Sequence, residues 1–252
     1  MGTNLVAVAA SGRLGSAVNV RDRLLFALTV SSGAVDAISF LALGKVFTAF
    51  VTGNIAFLGL AIAQDPRAPS LVAVLASMIG FAAGIYLATI IVSRPAGSVT
   101  NSDQTPVDPV WPERTTCALG LSLLPHLGFA LVWAATNAQP GTNSTLALLA
   151  LWAFAMGMQS AAVRRLNVGG IFTTAATATF IFLVGDFANE PLTREERRRL
   201  TGVIVSLMIG ATLGALLLLH LPVYAPLLPL IITAGVVAMA ARSLAFHDGR
   251  PL

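Results

Sequence analysis

The sequence predicts an all-α membrane protein with about six transmembrane helices, two further re-entrant or broken segments, and a two-fold internal repeat whose halves are inverted, three crossings plus three. Three observations carry that expectation. Of 252 residues, 56% are hydrophobic and only 10% charged, whereas a soluble domain carries about 25% charged residues. Too few charges are present to coat a water-facing surface. The apolar residues fall in runs of about 20, the length a helix needs to cross about 30 Å of hydrocarbon. Finally, motifs of the first half recur in order in the second.

Taken from the N-terminus, residues 1–23 read as a cytoplasmic tail. Arg13 sits between two weakly apolar stretches, and no compact apolar region leads to a small-residue cleavage site, so no cleaved signal peptide is expected. Apolar segments then run at about Leu24–Gly44, Val46–Ala63, Leu71–Val92, Thr116–Ala135, Thr145–Val163, Gly170–Phe187, Leu200–Leu219 and Val223–Ala241. The first repeat spans 24–135 and contains a Pro-, Ser-, Thr- and Asp-rich stretch, 93–114, whose composition reads as a flexible linker. The second repeat spans 145–241, and 242–252 form a cytoplasmic tail.

The repeat rests on four matches in one order. Gly33-Ala-Val-Asp-Ala37 matches Gly157-Met-Gln-Ser-Ala161. Phe47-Thr48 with Thr52, Gly53 and Asn54 matches Phe172-Thr173 with Thr177, Ala178 and Thr179. Met78-Ile-Gly80 and Gly84 match Met208-Ile-Gly210 and Gly214, and Leu123-Leu-Pro125 matches Leu227-Leu-Pro229. Duplication of this kind is a common construction in transporters.

Charge tests the topology, since Lys and Arg beside spans favour the cytoplasmic face. The net charge is +4, from 15 Lys+Arg against 11 Asp+Glu. Because the basic residues flank apolar runs, no nucleic-acid partner is expected. Eight crossings place ten cations inside and five outside, with Lys45, Arg94, Arg114, Arg164 and Arg165 on the outer face. If the second and sixth segments return to the side they entered from, the division becomes 13 to 2, with only Lys45 and Arg67 outside. Three crossings per half is an odd number, so the halves then face opposite ways. Break points are expected at Thr52-Gly53-Asn54 and Thr177-Ala178-Thr179. The alternative is that both segments span as bent helices.

The run from Gly33 through Asp36, Phe47-Thr48 and Thr52-Gly53-Asn54 resembles the signature of the YoaK family, also called the domain of unknown function 1275. Gly157-Met-Gln-Ser-Ala161, Arg164-Arg165 and the later threonines are similar to a second family segment, from which Ser160 departs where Asn is usual and Ala178 where Gly is usual. The resemblance covers about Leu24 to Ala241. It implies a bacterial inner-membrane protein of about six spans and carries no substrate or activity with it.

Among single residues Asp36 stands out, because an Asp at the centre of a membrane helix costs about 2.5–3.5 kcal/mol on insertion scales. Thr29, Ser32, Asp36 and Ser39 share one helical face, which is expected to point at the bundle interior or a wet cavity. Asp36 either serves a substrate, ion or proton or bonds to backbone at a helix break. Its expected surroundings are a polar cavity also lined by Asn54 or Thr177. Thr52, Gly53 and Asn54 either line a selectivity site or tie a broken helix together. Gln159, Ser160, Thr173, Thr177 and Thr179 are the second-half candidates. His126, after the helix-breaking Pro125, reads as a packing residue before a ligand, since no second His or carboxylate stands at metal-ligand spacing. Arg164, Arg165 and the run Arg194–Arg199 read as cytoplasmic anchors that can touch anionic headgroups.

No phosphate-binding Gly loop, nucleophile elbow or His-Glu-x-x-His motif occurs, so no catalytic residue, metal or cofactor is expected. The single cysteine, Cys117, excludes an internal disulfide. The leading expectation is a small-solute or ion transporter or channel, with the lipid bilayer as its other partner. A structural or lipid-interacting membrane module comes second. An intramembrane enzyme resting on Asp36 and His126 comes third.

Overall fold

The computed structural model describes residues 2–93, 110–166, 168, 176–186 and 192–243, with side chains from Ala17 onward. Its elements are α1 (Gly2–Ala42), α2 (Val51–Ile62), α3 (Leu71–Val92), α4 (Glu113–Ala135), α5 (Thr142–Arg164), α6 (Ala176–Gly185), α7 (Arg194–His220) and α8 (Leu227–Ser243), with a short 3-10 turn at Pro222–Tyr224. No strand occurs among the described residues. The linker stretch 94–109 lies outside them, as do Gly170, Phe172, Thr173 and Phe187. The N-terminal stretch expected as a tail is helical and continuous with the first span, since α1 begins at Gly2.

Among the described residues six stretches are long and apolar enough to cross a membrane: Ala17–Ala42, Leu71–Val92, Glu113–Ala135, Thr142–Arg164, Arg194–His220 and Pro222–Arg242. α2 and, as far as it is described, α6 are shorter. Their 12 and 10 residues extend about 18 and 15 Å at 1.5 Å per residue, against about 30 Å of hydrocarbon.

Glycines set the helix pairing, since a missing Cβ lets two backbones approach closely. A Cβ at Gly33 would overlap the Leu207 carbonyl oxygen and fall 2.9 Å from the Ala211 nitrogen; one at Gly210 would overlap Val30, and one at Gly214 would fall 2.8 Å from the Ala34 Cα. Residue numbers rise together along this contact, so α1 and α7 are parallel. α3 and α5 are parallel in the same manner, with Gly80 against Ala150, Gly84 against Phe154 and Gly157 against Phe81 and Ile85. α4 opposes α8: Gly120 faces Val237, and Trp133 Nε1 donates to the Pro222 carbonyl at 2.8 Å.

Helix direction follows from these contacts. α7 and α8 are joined by a short turn and run oppositely. α4 and α5 are likewise joined by a short connection, with Phe129 stacked on Trp152 at 3.5 Å between ring centroids. Hence α1, α4 and α7 point one way, and α3, α5 and α8 the other. Had α2 crossed, α1 and α4 would oppose each other; had α6 crossed, α4 and α8 would be parallel. Exchanging α1 with α5 and α3 with α7 carries the α1–α7 pair into the α3–α5 pair, exchanging α4 with α8 carries that pair into itself, and each exchange reverses helix direction.

The contacts also move one match of the halves. Gly157 meets Phe81 and Ile85 as Gly33 meets Leu207 and Ala211, while Gly84 meets Phe154 as Gly210 meets Val30. Gly84, not Gly80, therefore corresponds to Gly210, one helical turn from the match suggested by the two Met-Ile-Gly triplets.

One end of the bundle carries the described arginines Arg21, Arg23, Arg114, Arg164, Arg165, Arg194, Arg197, Arg198, Arg199 and Arg242; the other carries Lys45 and Arg67. At the basic end Asp22 accepts from Arg21 at 3.0 Å and Arg199 at 2.9 Å. Thr193 and Glu196 close a capping box on α7, bringing its capping hydrogen bonds to groups otherwise left without helix partners. Asp186 accepts from the Leu192 N–H and pairs with Arg197; these two contacts hold its carboxyl below the usual carboxylate range. Outward faces of α3 and α7 expose Ile79, Tyr86, Ile90, Met208 and Leu219, a surface suited to hydrocarbon.

Lys45 and Arg67 are expected on one face of the membrane. In a Cys117→Ala background, Lys45→Cys and Arg67→Cys should both label with an impermeant maleimide from the same side. Labelling from opposite sides would restore the second segment as a crossing.

Candidate functional site

α1 ends in a glycine turn. Gly44 has φ +85°, a left-handed conformation that other side chains resist, and the Lys45 N–H reaches back to the Phe40 carbonyl at 3.1 Å in a Schellman closure. The chain then descends beside α1 as residues 46–50 before α2 starts. This break lies a few residues ahead of the expected point, and Thr52, Gly53 and Asn54 occupy the opening turn of α2.

Two side chains hold the descending loop. Asp36 Oδ1 accepts from the Thr48 N–H at 2.9 Å and the Ala49 N–H at 2.8 Å. Asn54 brackets the Phe47 peptide: its Oδ1 accepts from the Phe47 N–H at 3.1 Å and its Nδ2 donates to the Phe47 carbonyl at 2.6 Å. Ser77 of α3 donates to that carbonyl as well, at 2.6 Å. Backbone groups outside a helix are tolerable at membrane depth only when paired in this way. The loop also carries an aromatic stack in which Phe47 lies 4.9 Å from Phe40, 5.3 Å from Phe50 and 5.9 Å from Phe57 between ring centroids. Gly53 leaves room for it, since a Cβ there would sit 2.7 Å from the Phe50 ring.

Beside Phe50 of this stack lies a cavity of about 800 Å³. Its wall includes Ala49, Phe50, Val51 and Thr52 from the descending loop and α2, and Thr177, Ala178 and Ile181 from α6. Phe81, Ile85, Thr89, Val92 and Ser93 of α3 and its C-terminal edge, together with Ser160, Arg164 and Arg165 at the end of α5, complete it. From Phe81 to Val92 the wall follows α3 for about 16 Å at 1.5 Å per residue. The space thus runs from mid-bundle to the basic end.

This geometry unites some expected residues and separates others. Thr52, Ser160 and Thr177 line the cavity; Asp36 and Asn54 do not belong to its wall and face the loop backbone. Ser39 is buried and donates to the Asp36 carbonyl at 3.1 Å, while Ser32, Gln159 and Thr179 are buried. Gln159 donates to the Leu28 carbonyl at 3.2 Å. Thr173 lies outside the described residues. His126 is 1% exposed and neither ring nitrogen has a hydrogen-bond partner among the described residues; it makes no bond to Asp36. No group of three or more metal-ligating side chains occurs among the described residues.

Sequence reasoning missed the cavity role of Arg164 and Arg165, whose charge had already been used to orient the spans. It also missed Ser31, which bonds across to Thr233 at 3.3 Å. Serines are too common in such helices for its position to signal this.

Residues 24–239 match the family described as protein of unknown function, DUF1275. The chain belongs to the DUF1275 family. A curated relative, UPF0700 transmembrane protein YoaK of Bacillus subtilis (strain 168), is 30% identical over 183 residues, covering 73% of this chain and 74% of the relative. No solved structure matches the chain. In this DUF1275 protein the family segment around Gly33–Asn54 forms the end of α1, the descending loop and the start of α2, and thereby one wall of the cavity.

Proposed function

We propose that this protein is a small-solute or ion transporter or channel of the bacterial inner membrane, with both termini in the cytoplasm, and that the cavity is its solute site. One observation carries the reading: Thr52 of α2 and Thr177 of α6, matched positions of the two halves, line one cavity. Interrupted segments meeting near mid-membrane are the usual construction of a transport site. The pairing of α1 with α7 and α3 with α5 supports an inverted duplication, and the ten-to-two division of described cations supports a cytoplasmic basic end. The cavity then opens to the cytoplasm, and Phe50 of the aromatic stack stands in its wall.

The test is flux in proteoliposomes over a panel of small anions, cations and neutral solutes. Wild-type protein should exceed empty liposomes for at least one class. Thr52→Trp and Thr177→Trp, which fill the cavity, should each remove most of that flux at equal folded amounts. Flux equal to that of empty liposomes throughout would favour a structural or lipid-interacting membrane module. That second reading draws on Asp36 and Asn54, whose bonds serve the loop. The enzyme reading needed Asp36 beside His126 and draws no support from their placement.

A further inference from the structure

Among the described residues the only ionisable side chains in the cavity wall are two arginines. Arg164 and Arg165 stand at the basic end of the space, and no Asp, Glu, His or Lys accompanies them among the wall residues. Three other arginines at this end are paired, Arg21 and Arg199 with Asp22 and Arg197 with Asp186, and Arg23, Arg194, Arg198 and Arg242, which have no such pair among the described residues, stand outside the cavity wall. Among the described residues Arg164 and Arg165 pair with no carboxylate. Asp36, which bonds to a loop bordering the cavity, is directed at the Thr48 and Ala49 N–H groups.

The remaining wall sharpens the effect of this charge. Phe81, Ile85, Val92, Val163 and Ile181 are apolar, and low-dielectric walls focus the field of a single sign of charge into the space between them. Thr52, Thr89 and Thr177 add hydroxyls to the same wall. A cation entering would meet two uncompensated positive charges. An oxyanion would meet planar guanidinium forks suited to two-point hydrogen bonding, with hydroxyl donors deeper in.

We propose that the cavity is an oxyanion site, taking phosphate or carboxylate, with Arg164 and Arg165 as its charged wall. This rests on the reading of the cavity as the solute site and names the class of solute. The oxyanion has two sources, a soluble anion or the phosphate of an anionic lipid headgroup.

The experiment uses the full chain in phosphatidylcholine nanodiscs with radiolabelled inorganic phosphate as probe. Wild type should bind phosphate, and Arg164→Gln/Arg165→Gln should weaken binding about tenfold or more, the scale expected for losing charge-assisted hydrogen bonds. Arg242→Gln, a cation outside the cavity, should bind as wild type. If the double variant does not fold, Arg164→Lys and Arg165→Lys singly keep the charge and lose the fork, and each should weaken binding measurably. In mixed phosphatidylglycerol and phosphatidylcholine discs, the wild type without phosphate binding but with phosphatidylglycerol enrichment lost in the arginine variant identifies the headgroup as the oxyanion. Neither phosphate binding nor headgroup enrichment in wild type, or both unchanged in the folded double variant, overturns the proposal. Flux of a neutral solute in proteoliposomes with no oxyanion bound would sink the oxyanion class and leave transport standing. Bound phosphate with no flux of any solute would do the reverse.

Discussion

Asp36→Leu is expected to leave almost no folded protein in the membrane, whereas Asp36→Asn retains most of it. The carboxylate accepts from two loop N–H groups, at 2.9 and 2.8 Å, and leucine offers no acceptor. Each buried donor left unpaired costs about 1–3 kcal/mol, so the pair costs about 2–6 kcal/mol, a large share of a stability of about 5–15 kcal/mol. The loop then loses its tie to α1, and α2 loses its starting point. Asparagine keeps an acceptor oxygen in nearly the same place and removes only the charge. Size-exclusion chromatography with fluorescence detection in mild detergent, with a thermal midpoint for each variant, decides the matter. A leucine variant with wild-type yield and midpoint would show that the loop holds without Asp36.

The second large effect belongs to the glycine contacts. Gly84→Leu and Gly210→Leu should each abolish the folded monomer, because the first added carbon already overlaps backbone of the neighbouring helix, Phe154 in one case and Val30 in the other. Backbone cannot swing aside as a side-chain tip can, so the cost exceeds the roughly 1–3 kcal/mol of ordinary overpacking. Gly59→Leu is the control, since nothing lies within 4 Å of a Cβ there, and it should fold as wild type. Because Gly84 and Gly210 occupy corresponding contacts, the milder Gly84→Ala and Gly210→Ala should lower the thermal midpoint by similar amounts. Wild-type midpoints for both would mean that the helices separate without penalty.

The spans and the failure of two segments to cross were legible because both are written in local quantities, run length and flanking charge. Arg164 and Arg165 improve the charge division only if the sixth segment returns, and the opposition of α4 to α8 agrees. The register of the third-segment match was not legible. Gly80 and Gly84 stand one turn apart, as do Gly210 and Gly214, so a slip of one turn still places glycine on glycine; only the contacts with Phe154 and Val30 break the tie. Asp36 announced that something must compensate its charge, yet its partners are main-chain N–H groups, which every residue carries and no sequence distinguishes. The cavity itself depends on how α3, α5 and both short helices come together, which no single segment records.

The crossed pairing of helices sets an order on synthesis. α3 finds its glycine partner α5 early, but the face of α1 around Gly33 and Val30 is completed only when Gly210 of α7 has been made, 177 residues after Gly33. At about 5–20 residues per second of chain elongation, that face waits about 9–35 seconds beside the translocon. A helix so long without its mate needs a temporary neighbour, whether lipid, insertase or the earlier spans, and a stall placed between α5 and α7 would leave α1 crosslinked to that neighbour.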